Sequence, residues 1–167
     1  MKIEILDRAK KKRILEQLER FGIKKIPQLL IRTGIERIRA FSGSLSNEEI
    51  MSLWTILPFE GIGEYVAKEI SDKHNNTEVR LSVDALHMWR EQINQNIFIL
   101  TKEQEEFWFR GKNLELSDEQ KKELENFKGF IVVKSFNGKD FVGTGKVGEG
   151  IVYNYLPKER RRKSQTI

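Results

Sequence analysis

Residues 129 to 157 read Gly-Phe-Ile-Val-Val-Lys-Ser-Phe-Asn-Gly-Lys-Asp-Phe-Val-Gly-Thr-Gly-Lys-Val-Gly-Glu-Gly-Ile-Val-Tyr-Asn-Tyr-Leu-Pro. Phe130 to Phe136 is a strongly β-prone run, and Asn137-Gly138, the dipeptide most favoured in tight hairpins, follows it. Lys139 to Val147 predicts the returning strand. Gly148 and Gly150 turn the chain again, and Ile151 to Leu156 predicts a third strand ended by Pro157. Three consecutive antiparallel strands make a β-meander. One this rich in glycine suits a small curved sheet or pseudo-barrel.

Just ahead of the meander, Ile97 to Leu100 suits a buried strand. Thr101 with Gln104 and Ser117 with Gln120 have capping-box spacing, so each opens a helix. Gly111 closes the first, and the second runs toward Phe127 and is broken by Gly129. Further back, residues 4 to 21 carry Ile5, Ala9, Ile14, Leu15, Leu18 and Phe21 at near-helical spacing, which predicts one amphipathic helix stopped by Gly22. Ile26 to Ile31, around Pro27, predicts a second helix ending at Gly34. Ile35 to Phe41 alternates as a strand, and Ser46 with Glu49 boxes a helix that stops at Pro58. Glu64 to Ile70 and Val79 to Val83 predict a hairpin turning at His74-Asn75-Asn76, and Asp84 is the expected cap of a short helix through Trp89. The polar segment Arg90 to Asn96 is the best boundary. The fold class expected is α+β: an N-terminal α+β region, 1–93, then a β-rich pseudo-barrel, 94–167.

The 167 residues fit one ordinary domain or two small ones, and 38% hydrophobic with 33% charged residues describes a soluble globular chain with a heavily charged surface. The absence of cysteine excludes disulfides and thiolate zinc sites and suits a reducing, cytoplasmic setting. Charged Lys2, Glu4, Asp7 and Arg8 leave no apolar leader, and no stretch approaches the roughly 20 apolar residues of a membrane span. The net charge is +5, so its distribution matters more than its sum. Lys10 to Arg13 form one basic run and Lys158, Arg160, Arg161, Arg162 and Lys163 another, whereas residues 103 to 125 are acidic. The simplest reading of either run is a solvated surface, but a basic end on a partly acidic protein also points to an oriented contact with a polyanion.

Few residues invite catalysis. Gly143, Gly145 and Gly148 match a dinucleotide fingerprint, but that fingerprint must open a helix, and here it leads into β-prone Ile151-Val152-Tyr153. The glycines are better explained as bends in a curved sheet. Gly145-Lys146 is followed by Val147, not by the hydroxyl a P-loop needs, and Gly61-x-Gly63 reads as a turn. His74 and His87, the only histidines, lack the partners of a metal site or dyad. No cofactor, metal or membrane partner is expected. Trp54 reads as core. Phe107, Trp108 and Phe109 cannot all be buried by one helix, so at least one must reach the interface between the two regions or a ligand. Tyr153 and Tyr155 share a strand face, so either both are core, the simpler reading, or both flank a surface that contacts RNA.

The meander carries more than a pattern. The stretches Gly129 to Lys134, Phe141 to Lys146 and Asn154 to Arg161, with its Pro157-Lys158 step into arginines, resemble PUA domains, in particular the C-terminal module of Sun/Fmu-type ribosomal RNA cytosine methyltransferases. Trp108 to Leu114 is similar to the helix-to-loop element of that module. Upstream, Arg37 to Gly43 and Arg80 to Asp84 resemble the pre-PUA domain of small archaeal proteins that consist of these two modules alone. The catalytic domain of the methyltransferases has no counterpart here. The resemblance implies a non-catalytic protein that binds structured RNA, ribosomal or transfer RNA, in ribosome biogenesis or RNA modification, with assembly or modification proteins as possible partners.

On that basis the RNA contacts expected are Arg110, Gly111, Lys112, Lys158, Arg160 and Arg161, and the basic tail adds Arg162 and Lys163. Arg37 and Arg39, which share one strand face, are secondary candidates together with Arg32. Glu103, Glu105 and Glu106 stand against phosphate binding if they face the RNA. Two other readings are open: a targeting subunit of an RNA methyltransferase working with a separate catalytic chain, and a protein-interaction module whose tail only solubilises.

Overall fold

The computed structural model describes residues 2–59 and 61–163, so the last four residues of the second predicted region lie outside the described residues. The chain is α+β, with two five-stranded sheets and five helices among those residues.

The first sheet has the order β1-β2-β3-β4-β5, all antiparallel, with β1 Ile3–Ile5, β2 Leu29–Thr33, β3 Arg37–Phe41, β4 Glu64–Ser71 and β5 Thr77–Leu81. Two expectations fail here. The predicted 4–21 helix begins as a strand: Ile3 and Ile5 flank Glu4 at period two, and Asp7 starts α1, Arg8–Leu18, by accepting the Lys10 N–H at 2.8 Å. The predicted helix at Ile26 to Gly34 is instead β2. Its neighbours Leu30 and Ile31 are both fully buried, one on each side of the sheet, so the run is apolar without alternating. Leu18 of α1 and Leu30 share the main core, whereas α2, Asn47–Ile56, covers the opposite face through Ile50 against Ile3 and Ile31. Trp54 is only half-buried there. α3, Val83–Met88, is capped by Ser82, whose Oγ accepts the Ala85 N–H at 3.1 Å. The predicted cap Asp84 lies inside the helix because β5 ends at Leu81.

The second sheet is a curled half-barrel of order β6-β8-β9-β10-β7. β8 Gly129–Lys134, β9 Phe141–Gly148 and β10 Ile151–Asn154 are the predicted meander, β6 Ile97–Ile99 joins β8 in parallel, and the short β7 Leu114–Glu115 joins β10. α4, Lys102–Phe109, and α5, Asp118–Glu123, both start on the capping boxes read from the sequence. They are also tied to each other: Gln104 and Gln120 exchange side-chain amide hydrogen bonds at 3.0 and 3.1 Å while capping their own helices. Inside the curl lie Phe98, Trp108, Leu114, Leu124, Ile131, Val133 and Val152. Trp108 is fully buried and donates from Nε1 to Val142 O at 3.0 Å, and its ring occupies the space a Cβ on Gly143 would need, 3.1 Å away. The glycine pattern therefore serves packing within a strand. No helix follows Gly148, which ends β9, before Ile151 starts β10.

The outer face of this sheet meets the first half. Phe130, Val132 and Phe141 belong to the same apolar cluster as Leu18, Val79 and Leu86. Alternation along β5 sends Glu78 and Arg80 the other way from Val79 and Leu81, toward the second sheet. Glu78 accepts the Phe130 N–H at 3.0 Å and the Lys146 ammonium at 2.9 Å, with Arg20 at 3.5 Å. The Thr144 hydroxyl donates to Leu81 O at 3.2 Å. The segment 90–96 is itself bonded to both halves, by Asn94 N–H to Phe21 O and by Val132 N–H to Asn96 O.

Candidate nucleic-acid interface

The C-terminal end of α4 with its following loop, and the last strand with its basic tail, are 41 or more residues apart in sequence at their hydrogen-bonded pairs, yet they form one surface. Asn154, the last residue of β10, makes the junction. Its Nδ2 donates to Trp108 O at 2.8 Å and to Lys112 O at 3.1 Å, and its own N–H donates to Asn113 Oδ1 at 3.0 Å. The exposed carbonyls at the end of α4 are thereby satisfied. Beyond Pro157 the chain turns through a 3-10 helix, Lys158–Arg160, and returns across that end, where Arg162 N–H donates to Phe109 O at 2.8 Å.

Gly111 sits at φ +75°, the left-handed conformation that ends a helix at little cost only for glycine. The Arg161 side chain lies over it: a Cβ on Gly111 would stand 2.5 Å from Arg161 Nε, and that Nε donates to Leu156 O at 2.9 Å. Arg110, Gly111, Lys112, Arg161 and Arg162 are thus brought together. Arg110, Lys112, Lys158, Arg162 and Lys163 are exposed, and Arg161 is half-buried. Lys112 Nζ lies 5.5 Å from the Phe107 ring centre and the Arg162 guanidinium 4.9 Å from that of Phe109. Phe107 is therefore the aromatic of the three that turns outward, at 47% exposure.

The acidic residues of α4 are mostly engaged. Glu105 accepts the Ser135 hydroxyl at 2.6 Å and the Phe136 N–H at 3.1 Å, capping the β8–β9 hairpin. Glu106 stands 3.8 Å from Arg110 and 3.6 Å from Arg162, all well exposed, a geometry worth about 0–1 kcal/mol per pair that a phosphate can displace. Glu103 instead lines an open cleft of about 610 Å³ with Glu115, Glu119, Phe107 and Lys112, so carboxylates border one flank of the basic patch.

Other expected contacts fall elsewhere. Arg160 turns away from the patch and pairs with Asp84 of α3 at 2.6 Å. Arg32 is not free: its Nε donates to Glu69 at 2.9 Å and its Nη1 to Glu4 at 2.7 Å. Burial lowers the pKa of this guanidinium, but hydrogen bonds and charge from Glu69 and Glu4 outweigh burial and leave it raised. Arg37 is exposed on the α2 face of the first sheet, and Arg39 folds over Gly61 and donates to Gly63 O at 2.9 Å. Both belong to a different sheet from the patch.

Two cations missed by sequence reading stand beside the tyrosines. Arg80 lies 4.9 Å from the Tyr155 ring centre, and Lys146, opposite Tyr153 in the β9–β10 register, lies 4.9 Å from that of Phe130. Tyr153 and Tyr155 are 39% and 37% exposed, which corrects the reading of both as core: their face is the one that meets the first half, and it is only partly covered. The period-two pattern Glu78-Val79-Arg80-Leu81 was the available signal for Arg80. Among the described residues no group of three or more His, Asp or Glu could hold a metal ion, and no helix is long and apolar enough to cross a membrane. No protein-family model matches the chain, and no curated protein matches its sequence.

Proposed function

We propose that this chain binds structured RNA, ribosomal or transfer RNA, without catalysis, through a PUA-type second half carried on a pre-PUA-like first half, in ribosome biogenesis or RNA modification. The observation that carries the reading is the seating of Arg161 on Gly111. It merges two basic segments into one surface that carries the exposed Arg110, Lys112 and Arg162 at the end of a helix. Asn154 fixes the backbone at Trp108 and Lys112, Leu156 O holds the Arg161 guanidinium, and the neighbouring exposed charges of Arg110, Lys112 and Arg162 suit phosphate contacts that position a duplex and do not read its sequence.

The test is filter retention of transfer RNA and of ribosomal RNA fragments across a salt series. The double variant Arg110→Ala with Lys112→Ala is expected to weaken binding and to lower the slope of log affinity on log salt by about 1.5. An unchanged slope would remove this surface from the interface.

A further inference from the structure

Resting on the RNA reading above, we propose that the cleft between the two halves receives a single unpaired nucleobase of the bound RNA. The cleft is composite. Tyr65, Arg80 and Asp84 line it from the first half, and Thr144, Tyr155 and Arg160 from the second. Its volume is about 180 Å³, below the several hundred of sites for drug-sized ligands, and so of the scale of one planar ring system.

Tyr155 is held as a platform. Phe130 contacts its ring edge-on at 5.4 Å with planes at 78°, and the Arg80 guanidinium sits 4.9 Å from its centre. Phe130 is buried while Tyr155 is more than a third exposed, so the packing fixes the ring and leaves surface open. An exposed aromatic fixed this way stacks a base with little further loss of side-chain freedom. Guanidinium planes are a second surface on which splayed bases stack, and Arg80 supplies one at the same wall. The cleft adjoins the phosphate patch through consecutive residues: Arg160 lines the cleft and Arg161 covers Gly111.

The full chain is titrated with three hairpin RNAs that share one stem: fully paired, with a bulged 2-aminopurine, and with an abasic bulge. The expected result is about tenfold tighter binding of the 2-aminopurine hairpin than of the abasic one, with a fall in fluorescence on stacking. Tyr155→Leu, which keeps an apolar contact with Phe130, should abolish both while leaving binding of the fully paired hairpin unchanged. Arg80→Gln supplies a second variant with the same expected loss if Tyr155→Leu does not fold. Equal binding of the two bulged hairpins by the unaltered chain, or discrimination retained in the variants, overturns the cleft proposal alone. Failure to bind any of the three at low salt overturns the RNA reading and the cleft with it.

Discussion

Arg160 Nη2 donates to Asp84 Oδ1 at 2.6 Å, and this pair joins the last turn of the described chain to α3 in the opposite half. The arginine that the sequence offered as a phosphate contact is thus held by a carboxylate. Under the RNA reading, Asp84→Asn releases it and removes a negative charge beside the interface. The variant is expected to bind transfer RNA severalfold tighter at low salt, with the gain fading as salt rises. Filter retention at two ionic strengths measures this, and equal affinity for both proteins would show that Arg160 does not touch RNA.

Gly111→Ala tests the seat of the tail. The left-handed φ costs a non-glycine residue about 1–2 kcal/mol, and the added methyl collides with Arg161, so the tail should leave the end of α4. A urea midpoint lowered accordingly is expected and, under the RNA reading, weaker binding of transfer RNA. Faster hydrogen exchange at the Arg162 amide, which now donates to Phe109 O, would report the release directly.

Glu78 is the polar centre of contact between the halves. Replacing it by Ala leaves the Phe130 N–H and the Lys146 ammonium without their acceptor, at an expected cost of about 1–3 kcal/mol. Urea unfolding should shift to a lower midpoint with an unchanged m-value. A second transition appearing in the variant would mean that this contact is what makes the halves unfold together.

Glu4 sets an acid limit on stability. Hydrogen bonds from Lys10 and then Arg32 hold its pKa below the ordinary 4.5. A carboxylate depressed by folding stabilises the native state above its unfolded value, and that contribution disappears as the pH falls through the lowered one. The melting temperature of the unaltered protein should exceed that of Glu4→Gln by a constant gap at neutral pH. The gap should close below about pH 4.5. A gap independent of pH would assign the effect of Glu4 to packing.

What the sequence disclosed was governed by distance along the chain. The capping boxes at Ser46, Thr101 and Ser117 formed as read because each closes within one helical turn. The meander was legible for the same reason, its turns at Asn137-Gly138 and Glu149-Gly150 being local. β1 and β2 were misread as helices because their strand character comes from pairing with each other across residues 3 to 33. At the interface, composition marked Arg110 to Lys112 and the tail as separate basic segments. Their union depends on Asn154, a residue with no charge to draw notice. Arg80 and Lys146 acquire their setting only from the meeting of the two sheets.

The strand order of the second sheet also bears on how the chain is made. β6 and β7 form its two edges, and both precede the strands they pair with, β8 and β10. During translation Phe98 and Leu114 emerge before Ile131 and Val152, the strand residues that bury them. The first sheet pairs strands in chain order, β1 through β5, whereas the core of the half-barrel is complete only once β10 and Leu156 have been added. Asn154, the junction residue of the basic surface, thus arrives with the last strand, just ahead of Leu156, the final member of the second core.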